Sequence, residues 1–531
     1  YRLQHFLGGV HLMRLAFSKV LVLALVMTAT ALIGRTPTRA AEPKLNVLFI
    51  AIDDLRPELG CYGFSQIKSP NIDALAKEGL QFNRAYCQFA LCNPSRSSLL
   101  TGERPETIKV YDLKTFVRTH QPDVVTLPQL FKNSGYEARS VGKIFHVTNG
   151  NHDDDISWST HDWQSPKDDH PRAKEKKPAK PTLAPGEDYE PDANGVVHPK
   201  GEADANGGRT KSGKRSVSAE PFEPRADMLP YESPDVADNK LLDGEIADKA
   251  IQVMDQIKDK PFFLAVGFHK PHMPWVAPKK YWDMYKDAEI SLAEYQELPA
   301  GAPAFASNEA GEFRSYKGVP KEGPIPEDIQ RAGRHSYFAC ISYTDAQVGK
   351  VLAELDRLGL RKNTVVILWG DHGYQLGEHG TWNKRTNWEV AARVPLMISV
   401  PGQQHTGAKT DALVELVDMY PTLVELCGLQ APATLQGTSF VPLVNQPDMK
   451  WKDAAFTTYH KPLPDMGTGF GRAMRTDQYR FVEWSGPKSE LRVYELYDEK
   501  NDPLEKVNIA DRPENAELVK KLTQQLHAGG K

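Results

Sequence analysis

The sequence predicts an α/β fold, a mostly parallel sheet between helices, with a small α+β subdomain at its C-terminal end. Three observations predict it. Several short runs are apolar almost throughout, as strands covered on both faces must be. Helical patterns lie between those runs, which is how parallel strands are joined. Three of the runs stop abruptly at Asp or His. In open α/β sheets ligands bind outside the carboxyl ends of the strands, so polar residues gathered there point to a site.

In chain order, residues 45–52 (LNVLFIAI) read as a buried strand that delivers Asp53 and Asp54 at its end. Residues 136–141 are a further candidate strand, followed by Lys143 and His146. Residues 241–257 carry a helical pattern. Residues 261–268 (PFFLAVGF) are the second buried run, ending in His269. From about 328 to 358, Phe338, Ile341, Val348, Val351, Leu352 and Leu355 recur near helical spacing. Residues 364–370 (TVVILWG) are the third run, ending in Asp371 and His372, and 394–400 (VPLMISV) are a fourth. Beyond a composition shift near 442–451, residues 474–484 and 491–496 alternate like exposed antiparallel strands. A final helix is expected over 514–526, with Pro513 at its start.

The organisation that follows is a catalytic domain over 41–445 and a C-terminal subdomain over 446–531. Residues 153–235 are rich in Pro, Gly, Lys, Asp and Glu and read as a polar insertion. Ahead of the domain, Met13, Arg14 and Lys19 open a basic segment, residues 20–34 are apolar, and Thr38-Arg39-Ala40 supplies small residues for cleavage. This is the pattern of a secretory signal, so 1–40 are read as signal and upstream residues. The chain is expected to be exported, to the periplasm or beyond, with no stable membrane insertion after cleavage.

With 40% hydrophobic and 25% charged residues in 531, the chain can bury a sizeable core. A net charge of -4 argues against a nucleic-acid partner. Five cysteines (Cys61, Cys87, Cys92, Cys340, Cys427) are too few for a disulfide scaffold, and no CxxC pair supports a zinc knuckle. Glu378-His379 lacks the spacing of a helical zinc motif.

The most informative segment is Leu91-Cys92-Asn93-Pro94-Ser95-Arg96-Ser97-Ser98-Leu99-Leu100-Thr101-Gly102. Pro94 is tolerated in a first helical turn, so Cys92 stands at a helix N-terminus, with Arg96 one turn on. Asp53 and Asp54 are adjacent carboxylates that would repel unless a divalent cation lay between them, and Asp371 and His372 can approach the same point. Oxygen donors suggest Ca²⁺ or Mg²⁺; imidazole makes His372 the least suited of the set.

This C-x-P-S-R segment followed by S-S-L-L-T-G resembles the signature of the type I, formylglycine-dependent sulfatases. The likeness runs through most of the chain, to Glu495-Leu496-Tyr497-Asp498 and Asp502-Pro503. Residues 263–274 (FLAVGFHKPHMP) and 371–380 (DHGYQLGEHG) resemble the iduronate-2-sulfatase branch of that family. The resemblance implies an alkaline-phosphatase-like fold and hydrolysis of a sulfate ester, on that branch a 2-sulfated uronic acid in a polysaccharide. It implies that a formylglycine-generating enzyme converts Cys92 to formylglycine, which also contacts the metal, whose ligands would be Asp53, Asp54, Asp371 and His372. It implies that Arg96, Lys143 and Lys384 bind the sulfate, that His146 contacts the aldehyde hydrate, and that His269 protonates the leaving oxygen. His272 is read as rim. Lys270 and Arg385, which flank His269 and Lys384, are the candidates to meet a uronate carboxylate. Two other readings stand beside it. One is a phosphate or phosphonate monoester hydrolase of the same fold; the other is a binder of sulfated glycans without catalysis.

Overall fold

The computed structural model describes residues 44–146, 154–164, 189–191, 197–199, 227–308 and 311–529. The signal segment and most of the 153–235 insertion lie outside the described residues. Residues 45–531 form one compact unit.

A seven-stranded sheet organises that unit. Its strands are β1 (Asn46–Ile52), β2 (Leu80–Tyr86), β3 (Glu137–Gly142), β4 (Phe262–Phe268), β5 (Thr364–Gly370), β6 (Arg393–Ser399) and β7 (Ala408–Glu415), in the order β7-β2-β6-β5-β1-β4-β3. β1 lies near the middle, and all of its side chains are buried because both faces of the sheet are covered. Leu48, Ile50 and Ile52 face α1 (Pro70–Glu78), α3 (Leu242–Ile257) and α4 (Glu327–Arg357). Val47, Phe49 and Ala51 face the layer of α2 (Cys92–Thr101). Each fully buried large aliphatic or aromatic side chain contributes about 1.5–3 kcal/mol, so this two-sided burial holds the strand ends rigidly.

The fourth apolar run belongs to the sheet but breaks its parallel character: β6 runs antiparallel to both β2 and β5. Between β5 and β6 the only α-helix is the four-residue Glu389–Ala392. Without a crossover helix the chain cannot return to start a parallel neighbour. β2 and β7 were not anticipated. β2 (LQFNRAY) interrupts its apolar pattern with polar residues, and β7 (AKTDALVE) is an edge strand with neither an apolar run nor a regular alternation.

The C-terminal part carries four antiparallel strands, β8 (Ala454–Leu463), β9 (Gly467–Thr476), β10 (Tyr479–Gly486) and β11 (Ser489–Asp498), then α5 (Ala516–Gly529). The expected strand over 474–484 is the close of one hairpin, since β9 and β10 turn at Asp477-Gln478. The sheet is exposed only in part, as at Glu490, Leu491 and Arg492. Met474, Phe481 and Leu496 pack against Leu522 and Leu526 of α5, while Ala473, Val482 and Trp484 pack with Trp388 and Ala306. Alternation here separates two buried faces rather than core from water. Among the described residues, no helix is long and apolar enough to cross a membrane.

Candidate active site

Register brings the strand-end residues together. Ile52 pairs with Phe268 on one side and Gly370 on the other, and Gly142 pairs with Gly267. Asp53, His269, Asp371 and Lys143 are therefore each the first residue beyond a strand or beside its last pair. Backbone bonds continue the alignment: Asp53 N–H donates to Phe268 O at 3.2 Å and Lys143 N–H to Gly267 O at 2.9 Å. Gly267 is required at this crossing, because a Cβ there would lie 1.9 Å from Lys143 O. Asp54 takes a positive φ of 58°, a conformation Asp tolerates better than most, and its N–H donates to the Asp371 carboxylate at 3.1 Å.

Helix α2 meets this edge end-on. Cys92 is its first residue, one position inside the helix rather than just before it, and every residue from Cys92 to Thr101 is buried. The buried hydroxyls are satisfied: Ser95 donates to Asp371 O at 2.6 Å and Ser98 to Glu103 O at 2.6 Å. Arg96 does not hold Cys92 through a hydrogen bond. Its Nε donates to Asp371 Oδ2 at 2.8 Å and its Nη1 to the carbonyls of Lys143 and Ile144. This guanidinium is thereby a rigid positive charge knitting α2 to β3 and β5.

Donor atoms of Asp53, Cys92, Asp371 and His372 all lie within 4.8 Å of one another, and those of Asp54, Cys92 and His272 do likewise. Cys92 Sγ is 3.4 Å from Asp53 Oδ1 and 3.2 Å from His372 Nε2. The Nδ1–H of His372 is donated to Gly373 O at 3.0 Å, which leaves Nε2 as the ligand atom. Lys143 donates to Asp53, and Lys384 Nζ lies 2.8 and 2.9 Å from the two oxygens of Asp54. Against the burial that would raise it, the Lys143 ammonium, with His272 and Arg96, holds Asp53 well below the usual carboxylate range. Asp54 goes the other way: burial, then Asp53, Glu312 and Asp371, push it well up despite Lys384. A dry pocket holding this many carboxylates is short of positive charge, and its donors are mostly hard oxygens. Both features fit a divalent cation such as Ca²⁺ or Mg²⁺ held by Asp53, Asp54, Asp371 and His372.

Position 92 is unsuited to thiolate chemistry, since burial and then Asp53 push its thiol well up. His146 is 6% exposed, and burial followed by the Lys143 charge holds its imidazole well below the ordinary value, so it is a neutral base.

One histidine joins the site and one expectation changes. His269 follows β4 as expected, and His272, three residues on, also brings its imidazole up to Asp54 and Cys92. The chain turns back between them: His272 N–H donates to His269 O at 2.8 Å, and Asp243 accepts the N–H groups of His269 and Lys270 at 2.8 and 2.9 Å. Lys270 does not reach a pocket rim. It is 1% exposed and its ammonium donates to the carbonyls of His272 and Pro274 at 3.0 and 2.8 Å. It fastens the turn that presents His272. Arg385 is half-buried, has a positive φ of 64°, and acts electrostatically on Tyr459 of β8.

One residue was missed outright. Glu312 is fully buried, with Oε2 at 3.2 Å from Lys384 Nζ and Oε1 at 3.6 Å from His272 Nε2. It lies in an irregular segment without periodicity or motif, so no sequence signal marks it.

Comparison with known proteins agrees with this geometry. The family pattern described as Sulfatase matches residues 45–429, and one described as N-sulphoglucosamine sulphohydrolase, C-terminal, matches 377–530. The chain is 34% identical to iduronate 2-sulfatase of Mus musculus over 96% of its own length and 98% of the other. A sulfatase of Formosa agariphila is 30% identical over 88% and 83% of the two chains. Among solved structures, a complex with D-glucosamine-2-N,6-O-disulfate as substrate superposes with a TM-score of 0.67 at 20% identity, covering 91% and 97% of the two chains. A phosphonate monoester hydrolase of Silicibacter pomeroyi gives 0.68 at 21%, covering 91% and 95%. The last two likenesses speak for the fold alone.

Proposed function

The chain belongs to the sulfatase family, and from that premise we propose that it removes sulfate from a 2-sulfated uronic acid in a polysaccharide. The likeness to mouse and human iduronate 2-sulfatases, 34% identical over nearly the full length of each, supports the sugar. The observation that carries the chemistry is the convergence of Asp53, Asp371, His372 and Cys92 within 4.8 Å at aligned strand ends. Lys143 and Lys384 stand directly on the neighbouring carboxylates.

A formylglycine made from Cys92 by a formylglycine-generating enzyme supplies, when hydrated, an oxygen nucleophile, and a Ca²⁺ or Mg²⁺ held by Asp53, Asp54, Asp371 and His372 supplies positive charge beside it. The chain's own residues do the rest. Arg96 is locked by Asp371 and two carbonyls, so it offers fixed charge without reorganisation. Lys143 and Lys384 carry ammonium groups on long stems, able to turn to sulfate oxygens when the carboxylates have another partner. His146, a neutral imidazole, accepts a proton near position 92. His269, at the end of β4, gives the departing sugar oxygen its proton as the S–O bond breaks, with the imidazole of His272 beside Asp54 and Cys92 in the same pocket.

The chain works after export, in the periplasm or outside the cell, on the strength of the segment over 1–40. Its catalytic domain ends near 445, and the subdomain over 446–531 closes over it. Its partner is the sulfated saccharide, not nucleic acid.

The test is turnover on defined oligosaccharides sulfated at single positions, beside matched phosphate monoesters. The 2-sulfated uronate should be the best substrate. Faster turnover of the phosphate ester would overturn the sulfatase assignment, and a preference for a sulfated hexosamine would overturn the uronate. Peptide mass over residues 89–96 should show an aldehyde in place of the thiol.

A further inference from the structure

We infer that the C-terminal sheet carries a second saccharide-binding site, which holds sugars of the polysaccharide beyond the one being desulfated; this rests on the sulfatase reading. Strand pairing lays the site out. Thr458 of β8 lies opposite Arg472 of β9, and His460 lies opposite Phe470. Successive side chains of a strand point to opposite faces, so these four share one face with Phe456 and Met474. Helix α5 covers that face at the Phe456 and Met474 end, through Leu522 and Leu526. Beside Leu526 a cavity opens, lined also by Arg104, Glu106, Thr458 and Arg472.

The cavity wall is polar and incompletely bonded. Arg104 is 7% exposed and Thr458 4%. Arg104 gives Nη1 and Nη2 to Glu415 at 2.7 and 3.0 Å. Its Nε and Thr458 Oγ1 find no hydrogen-bond partner among the described residues. A buried N–H and a buried hydroxyl in that state favour a ligand that brings hydroxyl oxygens. Arg472 Nε lies 3.3 Å from Glu106, and the guanidinium stands 4.7 Å over the ring of Phe470. Next to it three half-buried rings pack together: Tyr111 is 4.7 Å from His460 and 5.2 Å from Phe470, and those two are 4.5 Å apart. Sugars have apolar C–H faces and hydroxyl edges, so rings beside a hydroxyl-bonding cavity suit them. Arg472 suits a sulfate or carboxylate on the same chain. The backbone ties these rings to position 92. Tyr111 and Leu113 pack with Phe89, Leu91 and Tyr459, and Asn93 Nδ2 donates to the carbonyls of Asp112 and Thr115 at 2.8 and 2.9 Å. Both neighbours of Cys92 thus hold the loop that carries Tyr111. Arg104 lies past the far end of α2, a helix of 10 residues and so about 15 Å long. Only a saccharide several sugars long reaches from Cys92 to that cavity.

The role separates from mere stability by its dependence on chain length. The full-length parent, Tyr111→Leu, Thr458→Val and Arg472→Gln are compared on a disaccharide and an octasaccharide carrying the same 2-sulfated uronate, with unfolding midpoints measured in parallel. Contacts far from the breaking bond bind ground and transition states alike, so they act on KM. The parent should show a KM about tenfold lower on the octasaccharide at similar kcat, and each variant should lose at least about threefold of that gain. Disaccharide kinetics and the unfolding midpoint should stay as in the parent. Equal KM on the two lengths in the parent, or equal losses on both lengths in the variants, would overturn the inference, as would variants that keep the whole gain. A parent that turns over neither length overturns the sulfatase reading instead. In that case calorimetric titration with the octasaccharide decides the site: binding that weakens in Thr458→Val and Arg472→Gln supports it, and no binding overturns it.

Discussion

Two of the clusters of buried charge among the described residues are built from different cations. At the strand ends, Asp53, Asp54, Asp371 and Glu312 meet Arg96, Lys143 and Lys384. Beneath the C-terminal sheet, Glu389, Glu499 and Glu505 meet Arg475 and Arg480. In the second cluster the cations are both arginines. Arg480 is 1% exposed and reaches all three glutamates, and its Nη1 also donates to Asn387 O at 2.9 Å. Planar guanidinium forks with every direction filled make a joint: they clamp the sheet onto the segment that carries Lys384. In the first cluster the lone arginine, Arg96, is held on Nε and Nη1 while its buried Nη2 makes no hydrogen bond among the described residues, and the remaining cations are lysines, whose stems can turn from carboxylate to ligand. The difference teaches that burial of charge alone does not mark a catalytic site.

The largest way to break the comparison is at the first cluster. Cys92→Ala should lower turnover by on the order of 10⁴-fold or more while leaving the unfolding midpoint nearly unchanged. Loss of folding instead would make Cys92 a structural residue. Chelation should also lower activity and Ca²⁺ or Mg²⁺ restore it. Asp53→Ala should be the more damaging and His372→Ala the less, because imidazole adds no charge to a hard cation. Recovery with zinc alone would exclude the proposed ion.

The second cluster should respond in stability. Arg480→Met takes the guanidinium from Glu505 and leaves Glu389 and Glu499 to Arg475, and such breaks cost about 3–5 kcal/mol, read as a lower denaturation midpoint. The folded fraction should keep most of its kcat; a loss as large as that of Cys92→Ala would erase the distinction between joint and site.

A smaller effect comes from Glu499, whose carboxyl is pushed up to about 7 by burial and then by Glu389. The folded chain therefore holds a proton that the unfolded chain releases near the ordinary value of 4.5. Stability from this group is intact below that value and falls as pH rises toward about 7. Thermal midpoints measured across that window should decline, and Glu499→Gln should flatten the decline. The smallest expected effect is at Arg385. Arg385→Ala should raise KM for the uronate by about tenfold, the worth of one charged hydrogen bond, and leave a carboxyl-reduced analogue unaffected.

Much of the site was legible in the chain because it is local. A buried strand has a recognisable end, and Asp53, Asp54, Asp371 and His372 follow such ends within two residues. The Cys92–Arg96 helix start is equally local, and α3, α4 and β5 were readable from their periodicity alone. The approach of His272 was not, because a turn held by Asp243 and the buried ammonium of Lys270 brings its ring up to Asp54 and Cys92. Nor was the antiparallel course of β6, which depends on how the 371–392 connection closes in space. Glu312 was invisible for the same reason.

By itself, then, the sequence determined the strand-end carboxylates, the helix that carries Cys92 and the α/β class, since periodicity, strand termini and a helix start are properties of neighbouring residues. Only the tertiary structure decided that His272 joins the strand-end cluster, which lysine is spent on backbone carbonyls and which distant glutamate stands behind Lys384. Those outcomes depend on side chains up to some hundreds of positions apart meeting in one dry volume, where packing and countercharge choose among residues of the same type.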